Sequence, residues 1–245
     1  MSLNSLLKHS LNAYARNFKL ISLFSLPFLV SFPLALLLPN FIAVSGIFLR
    51  FDSILYDLTP ASALFIVLAF ISSLALFAFA ISAINVIVKH QRTLTRLTSS
   101  DLAGVETASF KLFFVFLVAF AASLFANFWI LEYAGPAFHS IAPLVTLVIS
   151  FAVLFTPQAL ILEEVSLLSA LKRGVAILYN RFYYCLFFIC LASILLLTNA
   201  FVFLMLQDYF NWAIYLGVLI NALVLTPFFE VMKAQIFLSK YTLLK

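Results

Sequence analysis

The chain has 245 residues, of which 65% are hydrophobic and 9% charged, with a net charge of +5 and a mean hydropathy of +1.18. A soluble domain carries about 25% charged and roughly half apolar residues, so a water-soluble fold is excluded and lipid is the solvent. Its basic residues fall between apolar runs instead of clustering on one solvated face, which excludes a nucleic-acid partner.

The first predicted element is a basic amphipathic helix over residues 3–19. Leu3, Leu6, Leu7, Leu11, Tyr14 and Phe18 share one face and Lys8, His9, Asn12 and Arg16 the other, the pattern of a helix lying along a membrane surface. Six apolar segments then reach the length of about 20 residues that a bilayer crossing needs. They are residues 20–38, 61–88, 112–131, 141–162, 183–206 and 213–238. None alternates as a barrel strand would, and backbone groups in lipid must be paired internally, so each is read as a helix. No small-x-small site follows the first apolar run, and a cleaved signal peptide is not expected.

Between the fourth and fifth spans, residues 163–182 repeat the amphipathic design. Leu167, Leu168, Leu171, Val175 and Leu178 form an apolar arc, and Ser169, Lys172, Arg173 and Asn180 a polar one. Glu163 and Glu164 are expected to open this helix, where carboxylates complement the dipole. A weaker third copy lies between Arg92 and Phe110, with Ser100 or Asp101 as its N-cap. Thr156-Pro157 and Thr226-Pro227 are a second echo and predict kinks at Pro157 and Pro227. The fold class that follows is all-α: one polytopic membrane helix bundle over residues 1–245, made of three hairpins with interfacial helices between them.

Orientation follows from the basic residues. Lys8, Arg16 and Lys19 precede the first span, Lys89, Arg92, Arg96 and Lys111 lie between the second and third, Lys172, Arg173 and Arg181 between the fourth and fifth, and Lys233, Lys240 and Lys245 close the chain. Of 14 Lys and Arg residues only Arg50 falls on the other side. The positive-inside rule makes the crowded side cytoplasmic, with both termini there and the chain in a cell's inner membrane. Trp129, Tyr133, Tyr209 and Trp212 fall where the outer aromatic belt belongs.

The run from Thr156-Pro157-Gln158 through Leu162-Glu163-Glu164, followed by Ala170-Leu171-Lys172-Arg173-Gly174 and Asn180-Arg181-Phe182, resembles a prokaryotic pattern. It is similar to six-span proteins like the membrane domain of glycerophosphoryl diester phosphodiesterases and to related families of unknown function. The resemblance is specific over about 25 residues. It implies a fold and a membrane location but no activity, because in those phosphodiesterases the chemistry resembles that of a separate soluble barrel domain.

No catalytic set emerges from the residues themselves. His9, His90 and His139 do not share one side, so no metal site is expected, and no nucleotide or cofactor motif occurs among the five glycines. Cys185 and Cys190 lie in one apolar run and read as small apolar residues. Glu163-Glu164 has an acid/base reading, with helix capping and complementarity to Lys172 and Arg173 favoured over it. The functional candidates are Lys8, Arg16, Lys19, Lys172, Arg173 and Arg181 as lipid-headgroup contacts, and an intramembrane polar set of Gln158, Asn199, Asn221 and Glu230. Glu230 and Lys233 are spaced to pair. The first reading is a non-catalytic protein organising membrane lipids or membrane-protein partners, the second a small-solute transporter or channel, the third a lipid-acting enzyme.

Overall fold

The computed structural model describes residues 3–36, 41–44, 47–50, 60–93, 99–133 and 141–239. Helix α1 (Leu3–Arg16) leads into α2 (Phe18–Leu36), and a short antiparallel hairpin of β1 (Phe41–Val44) and β2 (Ile47–Arg50) follows, with Phe41 opposite Arg50. The long helices α3 (Pro60–Thr93) and α4 (Ser99–Tyr133) come next. The fourth crossing is divided into α5 (Ile141–Val153) and α6 (Thr156–Leu162). Beyond it lie α7 (Leu167–Asn180) and α8 (Phe182–Gln207). The last crossing combines α9 (Ala213–Ile220), a π turn (Asn221–Leu225) and α10 (Thr226–Leu238).

Among the described residues, five stretches are long and apolar enough to cross a membrane: Val67–Gln91, Gly104–Ile130, Ala142–Leu162, Phe182–Gln207 and Ala213–Leu238. The first expected span, residues 20–38, falls on α2, whose apolar stretch among the described residues, Phe18–Ser31, is shorter. Residues 37 and 38 of that expected span lie outside the described ones.

The helices fall into three hairpins, and the second member of each is the inner one. In the most apolar window, 61% of residues are buried for both the α3 and the α5–α6 crossings, against 17% for α4 and none for α8. Helices α3, α6 and α10 all touch one another. Their innermost segments, Ala80–Val88, Val153–Ile161 and Pro227–Val231, are buried on every side. These segments also correspond in sequence: Ser82, Thr156 and Thr226 each open a stretch that ends seven residues later on Lys89, Glu163 or Lys233. The tight core therefore lies toward the side that carries most of the basic residues.

Each interfacial segment packs on the inner helix of the preceding unit, α7 on α6 and the start of α4 on α3, and the cycle closes with α1 on α10. A single offset superposes Leu6, Ser10, Ala13 and Phe18 on Ala170, Gly174, Ile177 and Phe182. In α4 the interfacial and crossing parts are one uninterrupted helix of 35 residues. That helix begins at Ser99, so Ser100 and Asp101 fall in its first turn instead of forming a cap, and their side chains lie outside the described ones.

The packed faces of α1 and α7 coincide only in part with the leucine arcs. Leu6 is buried and Leu7, Tyr14 and Leu178 pack on the core, but small residues make up most of the rest of each packed face. Leu6, Ser10 and Ala13 are buried in α1, and Ala170, Gly174 and Ile177 in α7. Leu3, Leu11 and Phe18, like Leu167, Leu168 and Val175, stay exposed. Lipid is as apolar as leucine, so large side chains gain nothing by leaving it, whereas small ones let two helices approach closely. Gly174 shows how close: a Cβ built there would lie 3.0 Å from the Thr156 backbone nitrogen.

Candidate functional site

The two prolines disturb their helices in different ways. The fourth crossing breaks at Leu154-Phe155, immediately before Thr156-Pro157, and α7 seats Gly174 against that break. In the last crossing Pro227 follows the π turn. Proline has no N–H, so the carbonyl four residues earlier, that of Leu223, loses its helical partner. The Tyr14 hydroxyl of α1 donates to this carbonyl at 3.2 Å. The Tyr14 ring meets Phe18 and Phe228 edge-on, and burial pushes its phenol up to about 12.

Between the inner helices sits a buried polar network. Glu230 and Lys233 form an ion pair at 2.6 Å with side chains only 5% and 4% exposed. Gln158 of α6 donates from Nε2 to Glu230 Oε2 at 3.1 Å. Asn85 of α3 is fully buried and donates to the Ile81 carbonyl at 2.9 Å.

This network includes Gln158 and Glu230 but not the other two members of the expected polar set. Asn199 donates to the Gly217 carbonyl at 3.0 Å and ties α8 to α9, while Asn221 Oδ1 accepts from Thr226 within the last crossing. Asn221 precedes Glu230 by nine residues, about 13 Å along a helix axis, so the set divides into separate structural bonds. Hydropathy marks each as polar in an apolar run, and only the tertiary fold says which ones meet.

Glu163 and Glu164 do not open a helix. Helix α7 starts at Leu167 with Ser166 as its cap, later than the expected 163, and both carboxylates lie in the connection before it. Glu163 pairs with Arg173, and Glu164, held at a φ of 52°, pairs with Lys89 of α3. The Lys89 ammonium beside it holds the Glu164 carboxyl below its usual range, first by hydrogen bonding and then by charge. Partners ten and 75 residues away satisfy these groups better than a helix end nearby. Each carboxylate is thus held by a cation, and the charge complementarity expected for Arg173 is met by Glu163.

Of the expected headgroup contacts, Lys8, Arg16, Lys19, Lys172 and Arg173 are exposed and Arg181 is half-buried. Arg181 donates to the Ser239 carbonyl at 3.2 Å, capping the end of α10 where a cation complements the dipole. Arg173, Ala176, Ile177, Asn180 and Arg181 line a hollow of about 380 Å³ on one side of α7. Trp129, Tyr133, Tyr209 and Trp212 are all exposed, as belt residues should be. His139 lies outside the described residues. Among the described residues no group of three His, Cys, Asp or Glu side chains converges as a metal site.

Three features escaped the sequence reading: the Tyr14 contact, the Arg181 cap, and a reciprocal clasp between α2 and α3. In that clasp the Ser73 hydroxyl donates to the Ser31 carbonyl at 2.9 Å, and the two hydroxyls lie 3.0 Å apart. Buried serines in apolar helices are a weak signal for such contacts. Comparison of the chain with known protein families, with curated proteins and with solved structures returns no match.

Proposed function

We propose that the protein is a non-catalytic multi-pass protein of a cell's inner membrane, termini in the cytoplasm, whose basic face gathers anionic lipids. The observation that carries this reading is the surface of α1 and α7. Exposed Leu3, Leu11, Phe18 and Leu168 sit beside exposed Lys8, Arg16, Lys19 and Lys172. Apolar groups that meet acyl chains, with cations at the headgroup level, are the chemistry of an interfacial helix on an anionic surface. Membrane-protein partners would dock against the same face, and the family resemblance in the Thr156–Phe182 region agrees with a membrane role without supplying an activity.

The transport reading has less support. The place where a polar cavity would open, between the fourth and sixth crossings, is occupied by the direct Gln158–Glu230 bond. Each basic residue near an anionic surface contributes about 1 kcal/mol. Neutralising Lys8, Arg16 and Lys19 together should therefore weaken anionic-lipid binding on the order of a hundredfold. Titrating the full chain with phosphatidylglycerol and with phosphatidylcholine, read by native mass spectrometry, tests the reading. Equal binding of the two lipids, or no effect of the triple variant, would refute it. A reporter fused to the C-terminus tests the orientation, and activity only on the outer side would reverse it.

A further inference from the structure

Among the described residues the cycle of crossings is open at one place. Helix α2 packs on α3, α3 on α4, α4 on α5 and α8 on α9, and the π turn returns to α2, but α8 makes no substantial contact with α5 or α6. Leu144 and Val148 of α5 are 58% and 67% exposed, and Ile194 and Leu197 of α8 are 60% and 69% exposed. Helix α7 bridges the opening at its basic-side end. It packs on α5 and α6 through Ala170, Gly174 and Ile177, and the Ile177 carbonyl accepts from the Cys185 thiol in the first turns of α8.

The hollow on α7 lies at this bridge, between the α6 contact at Gly174 and the start of α8 at Phe182. Its volume of about 380 Å³ falls within the range of small-ligand sites, roughly 300–1,000 Å³. Its polar lining residues are Arg173, Arg181 and Asn180, which carry two guanidiniums and a carboxamide. A phosphodiester offers only acceptors, which suits forked N–H donors. Arg181 is held in place by the Ser239 carbonyl, which takes one of the five donors a guanidinium carries. Glu163 offsets Arg173, so the lining carries a net charge of about one cation and matches a monoanion. Tyr179, Phe182 and Tyr183, exposed and next in sequence to Asn180 and Arg181, suit the level where headgroup meets acyl chain.

We propose that one monoanionic glycerophospholipid occupies this place, its phosphodiester in the α7 hollow and an acyl chain in the opening between α5 and α8. The proposal rests on the lipid-gathering reading and names one specific site within it. The test uses the full chain, titrated with phosphatidylglycerol and read by native mass spectrometry. Ala176 is exposed and lines the hollow, so Ala176→Glu adds a carboxylate beside the phosphate. Asn12→Glu adds the same charge on the exposed face of α1.

The wild type should bind a first lipid at least about tenfold more tightly than later ones, the scale of a charge-assisted hydrogen bond. Ala176→Glu should abolish that first step, while Ala176→Gln and Asn12→Glu keep it. Equal weakening by both Glu variants, or loss with Ala176→Gln as well, would overturn the site while leaving a diffuse lipid preference intact. Absence of any preference for phosphatidylglycerol over phosphatidylcholine would overturn both. Inorganic phosphate in excess should leave the lipid bound, and its displacement would overturn the lipid as occupant.

Discussion

Lys233→Met removes the cation from a buried pair and tests whether the polar network between the inner helices is structural. Glu230 and Lys233 are 5% and 4% exposed and 2.6 Å apart, one turn along the same helix. Because the pair is intrahelical, it also forms in the separated, inserted helix. What assembly adds is the Gln158 bond to Glu230 and the removal of water. Breaking a buried pair by deleting one partner costs about 3–5 kcal/mol, because the remaining charge is buried without compensation. Gln158→Leu leaves the pair and removes one interhelical bond, a loss of about 0.6–1.7 kcal/mol. Glu230→Gln combined with Lys233→Met removes both charges and keeps an acceptor for Gln158, so it should cost less than about 1.5 kcal/mol. Thermal unfolding of the purified chain in one detergent, checked by denaturant titration, ranks the three. The expected order of destabilisation is Lys233→Met, then Gln158→Leu and the double variant close together. A double variant as unstable as Lys233→Met, or a Lys233→Met protein as stable as the wild type, would refute the account.

Gly174→Ala should destabilise by about 1–3 kcal/mol, since its Cβ would meet the Thr156 backbone at 3.0 Å and α7 would have to lift from the break. Gly104→Ala, where nothing lies within 4 Å, should be neutral or stabilising by up to about 1 kcal/mol, and the two melting points together check close packing against helix propensity. Tyr14→Phe should cost about 1 kcal/mol by leaving the Leu223 carbonyl without a donor, read as a lower unfolding midpoint. Because burial raises the Tyr14 phenol from 10.0 to about 12, its contribution is intact below pH 10 and lost as pH rises through 12, a loss that Tyr14→Phe should not show. The depressed Glu164 carboxyl works in the opposite sense: its pairing with Lys89 holds above the ordinary carboxylate pKa of 4.5 and is lost as pH falls below it. Glu164 is 76% exposed, so the loss is small, and the midpoints of wild type and Glu164→Gln should converge on acidification.

Apolar length, the spacing of basic residues and two amphipathic segments were sufficient to predict an all-α bundle built from repeated hairpins. These are one-dimensional properties: whether twenty consecutive residues tolerate lipid does not depend on their neighbours in space. The candidate site was legible only in part. Gln158, Glu230, Arg173 and Arg181 stand out as polar groups in or beside apolar runs, and the i, i+3 spacing of Glu230 and Lys233 announced their pairing. Asn199 and Asn221 stand out equally and belong to other contacts.

The tertiary structure alone decided which apolar faces meet protein and which meet lipid. Hydrophobicity cannot make that distinction in a bilayer, and the small residues Ser10, Ala13, Ala170 and Gly174 mark the packed sides of α1 and α7, whereas of the leucines Leu6 is buried and Leu3, Leu11, Leu167 and Leu168 stay exposed. It also decided long-range partnerships such as Tyr14 with the Leu223 carbonyl and Lys89 with Glu164. Each answers a backbone or charge requirement created by another element, and that requirement exists only once the helices are assembled.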